Sequence, residues 1–423
     1  MRILHKNHRY GFVCIALFIS NAFAQTPKPI TLPEALAAAA QNIDAQIAKQ
    51  LLGVARADIT AANRAPLPVL STSVSQIDLQ NGLGAGSLLT QKRIDKNIGF
   101  DWTLERGNKR ELRTETATQA ANASAQDLRE LLIGQKLLAS SAFFDLLAAQ
   151  QRTSQVSAIA ASAQQLADAA AKRLAAGDLS AQDAARSNIE AQRAKNEVLL
   201  AEQGRAQAER TLNLILALGA QKLVAHAPQA TASKAYSNTK PNMLPIEARA
   251  DVQAAAARVE AAKAALNSAF ALRKNDVTLG TAFDHWPGTS TRLLTFRLQV
   301  PLQLGALGGY NFSGEIARAE AQLAITEAAL ERVRQAASSD ALRLTQELQS
   351  SQIRAASYSE GIAPEAKRVA DQAELAYNKG ALSLTDLLEA RRTWRATTLE
   401  AISAQTDFEK ALTAWNIRTE SLQ

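Results

Sequence analysis

The sequence predicts a mostly α-helical fold that also carries a membrane β-barrel, built from a duplicated unit of helix, β-hairpin and long helical hairpin. Most of the chain is rich in Ala, Gln, Glu, Lys and Arg, which favour helices. Four short segments instead alternate apolar and polar residues, as half-buried strands do. The same order of helices and strands occurs twice along the 423 residues, which indicates an internal repeat.

The N-terminal residues have the pattern of a secretory signal peptide. Basic residues precede an apolar stretch over 10–19, and a small-x-small motif ends at Ala24. This stretch is shorter than the roughly 20 residues of a membrane-spanning helix. We therefore predict a signal peptide over 1–24, cleaved between Ala24 and Gln25. The one cysteine, Cys14, lies inside it, so we expect neither a disulfide nor a lipid anchor in the mature chain.

The charge pattern argues against nucleic-acid binding. The formal net charge is +7, three of the basic residues lie in the signal peptide, and acidic and basic residues are interspersed along the helical segments. This pattern is typical of solvated helix faces. The mature chain keeps only His226, His285 and Met243 among its His, Cys and Met residues. We expect both histidines in surface loops, no metal site, no cofactor and no enzyme activity.

The first repeat spans residues 25–218. A helix is predicted from Thr31, its N-cap, to Ala65, followed by a β-hairpin with strands at about 67–79 and 97–106. A long helix then runs to about residue 176, and a second from about 180 to 218. Residues that are small or apolar at all but one position recur every seven residues in the long helix, which predicts coiled-coil packing of closely spaced helices. They are Leu128, Gln135, Ala142, Ala149, Val156, Ala163 and Ala170.

A linker at 219–245 precedes the second repeat, which spans 246–423. A helix is predicted from Ile246 to about Lys274, with strands at about 276–284 and 292–303. A long helix follows over about 314–378, and a last helix over about 383–418. Gly361 and Pro364 predict a kink in the long helix.

The turn between the two helices of each hairpin carries the same motif. Gly177-Asp178-Leu179-Ser180-Ala181-Gln182-Asp183 matches Gly380-Ala381-Leu382-Ser383-Leu384-Thr385-Asp386 at an offset of 203 residues. In each motif the Gly suits a left-handed helix end, and the Ser caps the next helix with an acidic residue three places on. Two interpretations remain open: a plain tight turn, or a pair of tips that also present a docking surface.

Membrane insertion as a helix is not expected after the signal peptide, because no run is both long and apolar enough. The remaining way to cross a bilayer is a closed β-barrel. Four strands per chain cannot close a barrel alone, whereas three copies would supply twelve.

Several segments resemble the TolC-like outer-membrane factors of tripartite efflux systems, over nearly the whole mature chain. The segments are Thr31-Leu32-Pro33-Glu34-Ala35-Leu36, Leu104-Glu105-Arg106-Gly107-Asn108-Lys109-Arg110, Arg249-Ala250-Asp251-Val252-Gln253-Ala254-Ala255, Ala363-Pro364-Glu365, Tyr377-Asn378-Lys379-Gly380, and Leu382 to Ala390. The resemblance implies a homotrimer in the Gram-negative outer membrane. Its twelve-stranded barrel would continue as an α-helical coiled-coil tunnel in the periplasm.

The resemblance also implies roles for particular residues and partners. The tip residues Gly177, Leu179, Ser180, Asp183, Gly380, Leu382, Ser383 and Asp386 would face a periplasmic adaptor (membrane fusion) protein. An inner-membrane pump, proton-driven in the expected subtype, would supply substrate. Asp371 and Glu374 would line the periplasmic pore constriction, although ordinary solvated helix charge remains the alternative for both.

The segment 104–110, where the second predicted strand ends, is called the strand exit. It most resembles the cobalt-zinc-cadmium type of heavy-metal efflux channel. One departure stands against it, because the usual Gly-Gly before the basic pair is Gly107-Asn108 here. Two other functions remain open: a channel for type I protein secretion, and a soluble periplasmic coiled-coil adaptor or scaffold. A scaffold would have no need for four amphipathic strands.

Overall fold

A computed structural model describes residues 28–82, 84–87, 94–227, 245–286, 291–302 and 310–420. The predicted signal peptide at 1–24, its cleavage site at Ala24 and Gln25, and Met243 lie outside the described residues. So does most of the predicted linker.

The first half contains four helices and four strands within the described residues. They are β1 (Lys28–Ile30), α1 (Leu32–Ala39), α2 (Ile43–Ala62), β2 (Val69–Ser75), β3 (Asp95–Leu104), α3 (Lys109–Ala175), α4 (Ala181–Leu216) and β4 (Leu223–Ala225). The long helix and the helix after it match the prediction to within two residues. The first predicted strand is shorter than expected and ends at Ser75, because Gln76 adopts a left-handed conformation with φ of 58°.

The second half repeats the order of a helix, two strands and long helices. Its elements are a 3₁₀ turn (Ile246–Ala248), α5 (Ala250–Ala271), β5 (Val277–Trp286), β6 (Thr291–Gln299), α6 (Ser313–Ala356), a π-helical segment (Ser357–Ile362), α7 (Ala363–Asn378) and α8 (Leu384–Glu420). Of the two residues predicted to kink the long helix, Gly361 lies in the π-helical segment and Pro364 lies in the first turn of α7. Pro364 lacks the N–H that a continuous α-helix would use there.

Two further predicted helices are divided. The helix predicted from Thr31 to Ala65 ends at Ala39 and restarts at Ile43, because the Asn42 side chain caps α2 by accepting from the Ala45 N–H at 2.9 Å. The helix predicted from Ile246 is a single 3₁₀ turn until Arg249, whose extended backbone separates it from α5. Neither break is marked by Gly or Pro.

The segment predicted as a linker contains a strand. β4 pairs in parallel with β1, so that Ile30 lies opposite Ala225. This small sheet covers a core of α1, α3 and α4 residues in which Phe143, Leu146 and Leu212 are fully buried. This pairing joins the start of the described chain to the segment that follows α4 at the end of the first half.

The main sheet sets the order of the helices. It is antiparallel with strand order β2-β3-β5-β6, and each strand runs directly into or out of one helix: α2 to β2, β3 to α3, α5 to β5 and β6 to α6. The helices pack in the same sequence, α2 on α3, α3 on α5 and α5 on α6. Within the described residues, the sheet and these helices therefore form a strip with two open edges, one at β2 and α2 and the other at β6 and α6.

The residues predicted at seven-residue spacing are buried in the middle of α3 and toward its C-terminal end. Ala142, Val156 and Ala170 are buried, whereas Leu128 and Gln135 are half-buried. One part of α3 is long and apolar enough to cross a membrane by length and composition alone, which corrects our expectation that no helix would be. Its apolar residues include the core residues Phe143 and Leu146, so packing within the chain accounts for them.

The turn from β3 into α3 explains the departure from the Gly-Gly pattern. Gly107 and Asn108 both have left-handed backbones, with φ of 80° and 56°. Asn is among the non-glycine residues that tolerate this conformation best. At the matching junction before α6, Phe312 has φ of 60°. Asn108 therefore fills a position that requires the same backbone as a second glycine.

Candidate functional site

The two tip turns have the same backbone and the same cap. Gly177 and Gly380 have φ of 82° and 76°. The next N–H bonds the carbonyl oxygen five residues back at 2.9 Å in each turn, from Asp178 to Arg173 and from Ala381 to Ala376. These bonds satisfy carbonyls that the helix end leaves free.

The caps of the following helices also match. Ser180 Oγ accepts from the Asp183 N–H at 3.1 Å and donates to the Asp183 carboxylate at 2.8 Å. Ser383 makes the same contacts with Asp386, at 3.2 and 2.7 Å. Leu179 and Leu382 are half-buried, and the capping serines are exposed.

The structure brings the two tips together. Arg173 Nη1 lies 3.2 Å from the Tyr377 hydroxyl and its guanidinium lies over the Tyr377 ring. Arg186 donates to Thr385 Oγ1 at 3.1 Å. The first hairpin therefore contributes cations that contact the second tip, which the sequence pattern does not reveal.

The two carboxylates predicted at the constriction differ in their surroundings. Glu374 on α7 forms an ion pair with Arg391 on α8, at 3.0 Å. Asp371, one turn earlier, is exposed and has neither an ion pair nor a hydrogen bond within the described part of the chain. Both line a cavity between the two hairpins, together with Arg391 and Arg392. Of the two, only Asp371 has a carboxylate charge without a cationic partner.

Ion pairs above the tips join the hairpins. Arg392 on α8 pairs with Glu190 on α4, and Arg395 pairs with Glu197 at 3.2 Å. Burial of Glu190 raises its pKa, but the hydrogen bond and charge of Arg392 outweigh burial and leave the pKa below its ordinary value. Glu190 lies 13 residues beyond Gly177, and Arg392 lies 12 residues beyond Gly380. These similar distances from the two tips could have predicted the ion pair from the sequence, but the sequence analysis did not use them.

The main sheet has one apolar face and one polar face. Residues directly opposite each other share a face. The apolar face carries exposed rows such as Trp102, Leu279 and Leu298, and Ile98, Phe283 and Leu294. The polar face carries Ser71, Ser73, Asn97, Asp101, Asp284, Thr295 and Arg297. Side chains on the polar face bond across strands: Asn97 and Thr295 both donate to Asp284, at 2.5 and 3.0 Å.

A glycine makes room for an ion pair across the polar face. Gly280 on β5 lies between Asp101 on β3 and Arg297 on β6. Arg297 Nη2 bonds both carboxylate oxygens of Asp101, at 2.5 and 2.7 Å, and the pair passes over Gly280. A Cβ at Gly280 would overlap Asp101 Oδ1 and lie 3.2 Å from Arg297 Nε.

We predict that Gly280→Ala breaks this ion pair and lowers the stability of the assembled protein by about 1 kcal/mol, because Arg297 is largely exposed and such pairs contribute about 0–1 kcal/mol. Thermal melting of the purified protein measures it. Gly99→Ala is the matched control on the same face, because its only close contact would be the rotatable Ser71 hydroxyl, and Ala282 and Asn97 lie at ordinary contact distance. Equal melting temperatures for Gly280→Ala and the wild type would contradict the prediction.

The two open edges of the strip expose apolar side chains. On α2, Ile43, Ile47, Leu51 and Val54 form one stripe and are 53–64 % exposed. A stripe at this spacing lies on one helix face. On the other side of the strip, α6 and α7 also carry exposed apolar side chains, namely Ile325, Leu342, Ile353 and Val369.

The histidines are not both in loops. His226 is exposed after β4, but His285 lies within β5 and is half-buried, which corrects the expectation for that residue. Within the described residues, no group of three or more His, Cys, Asp or Glu side chains is arranged to hold a metal ion.

Comparisons with known proteins identify the fold. No family model matches the sequence, and no curated protein matches it significantly. The structure is similar to the outer-membrane channel OprN, with 17% identity, coverage of 93% of this chain and 91% of that chain, and a TM-score of 0.73. It is also similar to the outer membrane protein VceC of Vibrio cholerae, with 17% identity, 92% and 95% coverage and a TM-score of 0.71.

A third similar structure is the open state of the MtrE outer membrane channel of Neisseria gonorrhoeae. It has 17% identity, coverage of 92% of this chain and 88% of that chain, and a TM-score of 0.71. The chain therefore has the fold of these outer-membrane channels.

Proposed function

We propose that the chain is a subunit of an outer-membrane channel in a tripartite efflux system of a Gram-negative bacterium, with its helices forming a tunnel in the periplasm. The observation that carries the proposal is the four-stranded sheet with one apolar and one polar face. A sheet of this kind suits lipid on one side and a water-filled lumen on the other. The fold shared with OprN, VceC and MtrE supports it.

Closure of the barrel requires further copies of the chain. β2 and β6 run in opposite directions, so β2 of one copy can pair antiparallel with β6 of the next and continue the sheet. Open edges are not tolerated in lipid. A homotrimer supplies twelve strands and brings the apolar stripe of α2 against the exposed side chains of α6.

The proposed channel conducts substrate passively and is not an enzyme. It needs no cofactor and no nucleic acid. A periplasmic adaptor protein would dock at the two tips, around Leu179 and Leu382. An inner-membrane pump, proton-driven in this subtype, would choose the substrate. The substrates proposed are heavy-metal cations or small toxic compounds, and the strand exit at 104–110 favours the metals.

Deletion of the gene tests this function. We expect the deletion strain to become more sensitive to toxic compounds or metals, and a plasmid copy to restore resistance. The protein should fractionate with the outer membrane. Recovery in the soluble periplasmic fraction would instead support a scaffold, and a loss of protein export with unchanged resistance would support a type I secretion channel.

The proposed gate rests on Asp371. In a trimer three copies of this carboxylate would form a ring, where like charges repel and attract cations. Arg391 partly neutralises Glu374, so Asp371 should contribute most of the negative potential.

We therefore predict that Asp371→Ala lowers cation preference and weakens block by multivalent cations in planar-bilayer recordings. Asp168→Ala, the position at the matching offset in the first hairpin, is the control and should change neither property. A wild-type response from Asp371→Ala, or an equal change in Asp168→Ala, would exclude a gate at Asp371.

A further inference from the structure

Three basic side chains lie next to one another on the apolar face, at the loop end of the sheet. Lys96 on β3 lies opposite His285 on β5, and His285 lies opposite Arg292 on β6. Directly opposite residues share a face, with Cβ atoms about 5 Å apart. We call Lys96, His285 and Arg292 the basic row.

The described residues contain no carboxylate that neutralises the basic row. Lys96 Nζ donates only to the Ile94 carbonyl, at 3.3 Å, and His285 Nε2 is buried without a hydrogen-bond partner. Asp284 is adjacent in sequence, but strand alternation places it on the polar face, where it bonds Asn97 and Thr295. Like charges close together on one face of a sheet repel, and an anion bound between Lys96 and Arg292 would relieve that repulsion.

The surroundings of the basic row define the shape of that anion. Next to the row, toward the helices, lies an apolar row of Ile98, Phe283 and Leu294. A groove of about 450 Å³ includes the basic row and the apolar side chains of Val74, Ile94, Ile98 and Phe283. A ligand that fits has an anionic head at the basic row and an apolar chain along the face below.

We propose that the basic row binds the phosphate groups of a phosphorylated glycolipid, lipid A, in the outer leaflet of the membrane. The inference rests on the proposed function, which places the apolar face in lipid and the loop end of the sheet at the cell exterior. Lys96 and Arg292 contact the phosphates as cations, with the His285 ring between them. The acyl chains lie against Ile98, Phe283 and Leu294.

The test measures binding of diphosphoryl lipid A to the purified full-length protein by native mass spectrometry, beside a dephosphorylated form and inorganic phosphate. The variant is Lys96→Gln/Arg292→Gln. The matched control is Arg273→Gln/Lys274→Gln, which removes the same charge from exposed positions at the helix end of the sheet. Planar-bilayer conductance of each protein is recorded in parallel.

We expect the wild type and the control to bind diphosphoryl lipid A, and the Lys96→Gln/Arg292→Gln variant to bind at least about tenfold more weakly. The wild type should prefer the diphosphoryl form, and inorganic phosphate should not compete at matched concentration. Equal binding of the two lipid forms by the wild type overturns the proposal without any variant. The proposal is also overturned if the Arg273→Gln/Lys274→Gln control loses as much lipid A binding as the Lys96→Gln/Arg292→Gln variant. Lipid A binding without conductance would instead count against the channel function alone.

Discussion

Arg249→Ala is expected to lower the free energy of unfolding by about 3 kcal/mol, because it leaves two carboxylates close together without their shared cation. Arg249 is 6 % exposed, and its guanidinium bonds Asp251 at 2.9 and 3.1 Å and Asp340 at 3.0 Å. It thereby fixes the start of α5 to α6, at the point where the second half begins. Urea unfolding followed by circular dichroism measures the change.

The matched control for Arg249 is Arg334→Ala. Arg334 also bonds one carboxylate through two nitrogen atoms, at Glu247, but both side chains are exposed. Exposed pairs contribute about 0–1 kcal/mol, so this variant should unfold almost as the wild type does. Equal losses from the two substitutions would show that the burial of Arg249 is unimportant.

The same cluster predicts a loss of stability in acid. Burial raises the pKa of Asp340, but hydrogen bonds from Arg343 and Arg249 outweigh burial and leave the pKa lowered. A lowered folded-state pKa means that this stabilisation is present above the unfolded pKa of about 4 and disappears as the pH falls through the folded value. Arg249→Ala should therefore differ less from the wild type in acid than at neutral pH.

Leu51→Asp is expected to abolish assembly, because it would bury one carboxylate in each of the proposed contacts between copies. An unpaired buried charge costs several kcal/mol, and a trimer would contain three. Leu138→Asp is the control. Leu138 on the central helix α3 has almost the same exposure, 55 % against 60 %, but does not lie on an open edge. Light scattering of the purified proteins should give a monomer for Leu51→Asp and an assembly for Leu138→Asp.

The features that could be predicted from the sequence are those specified by local patterns. The alternation from Ile98 to Leu104 predicts β3, and Gly177 with Ser180 predicts the hairpin turn. Both depend on residues within a few positions of each other. The predicted tip and constriction residues are placed by the structure, but their docking and gating roles stay predictions.

The features that could not be predicted depend on distant residues. The pairing of β1 with β4 joins segments almost 200 residues apart, and three-residue strands have too little pattern to be recognised. The break at Asn42 depends on its amide, which caps α2 and also donates to Gln135 at 2.7 Å. The ion pair of Glu374 with Arg391 depends on the register of two helices, which the composition of α7 does not specify.

Cysteine cross-linking between β2 and β6 tests most directly whether copies of the chain close into a ring. Ser73→Cys on the polar face is combined in turn with cysteine at Leu293, Thr295 or Arg297 on β6, which share that face. The native cysteine, Cys14, lies in the predicted signal peptide and should not interfere. We predict that at least one combination gives a covalent trimer on a non-reducing gel of outer membranes. Monomers alone from all three combinations, with both cysteines open to labelling, would contradict a ring of paired edges.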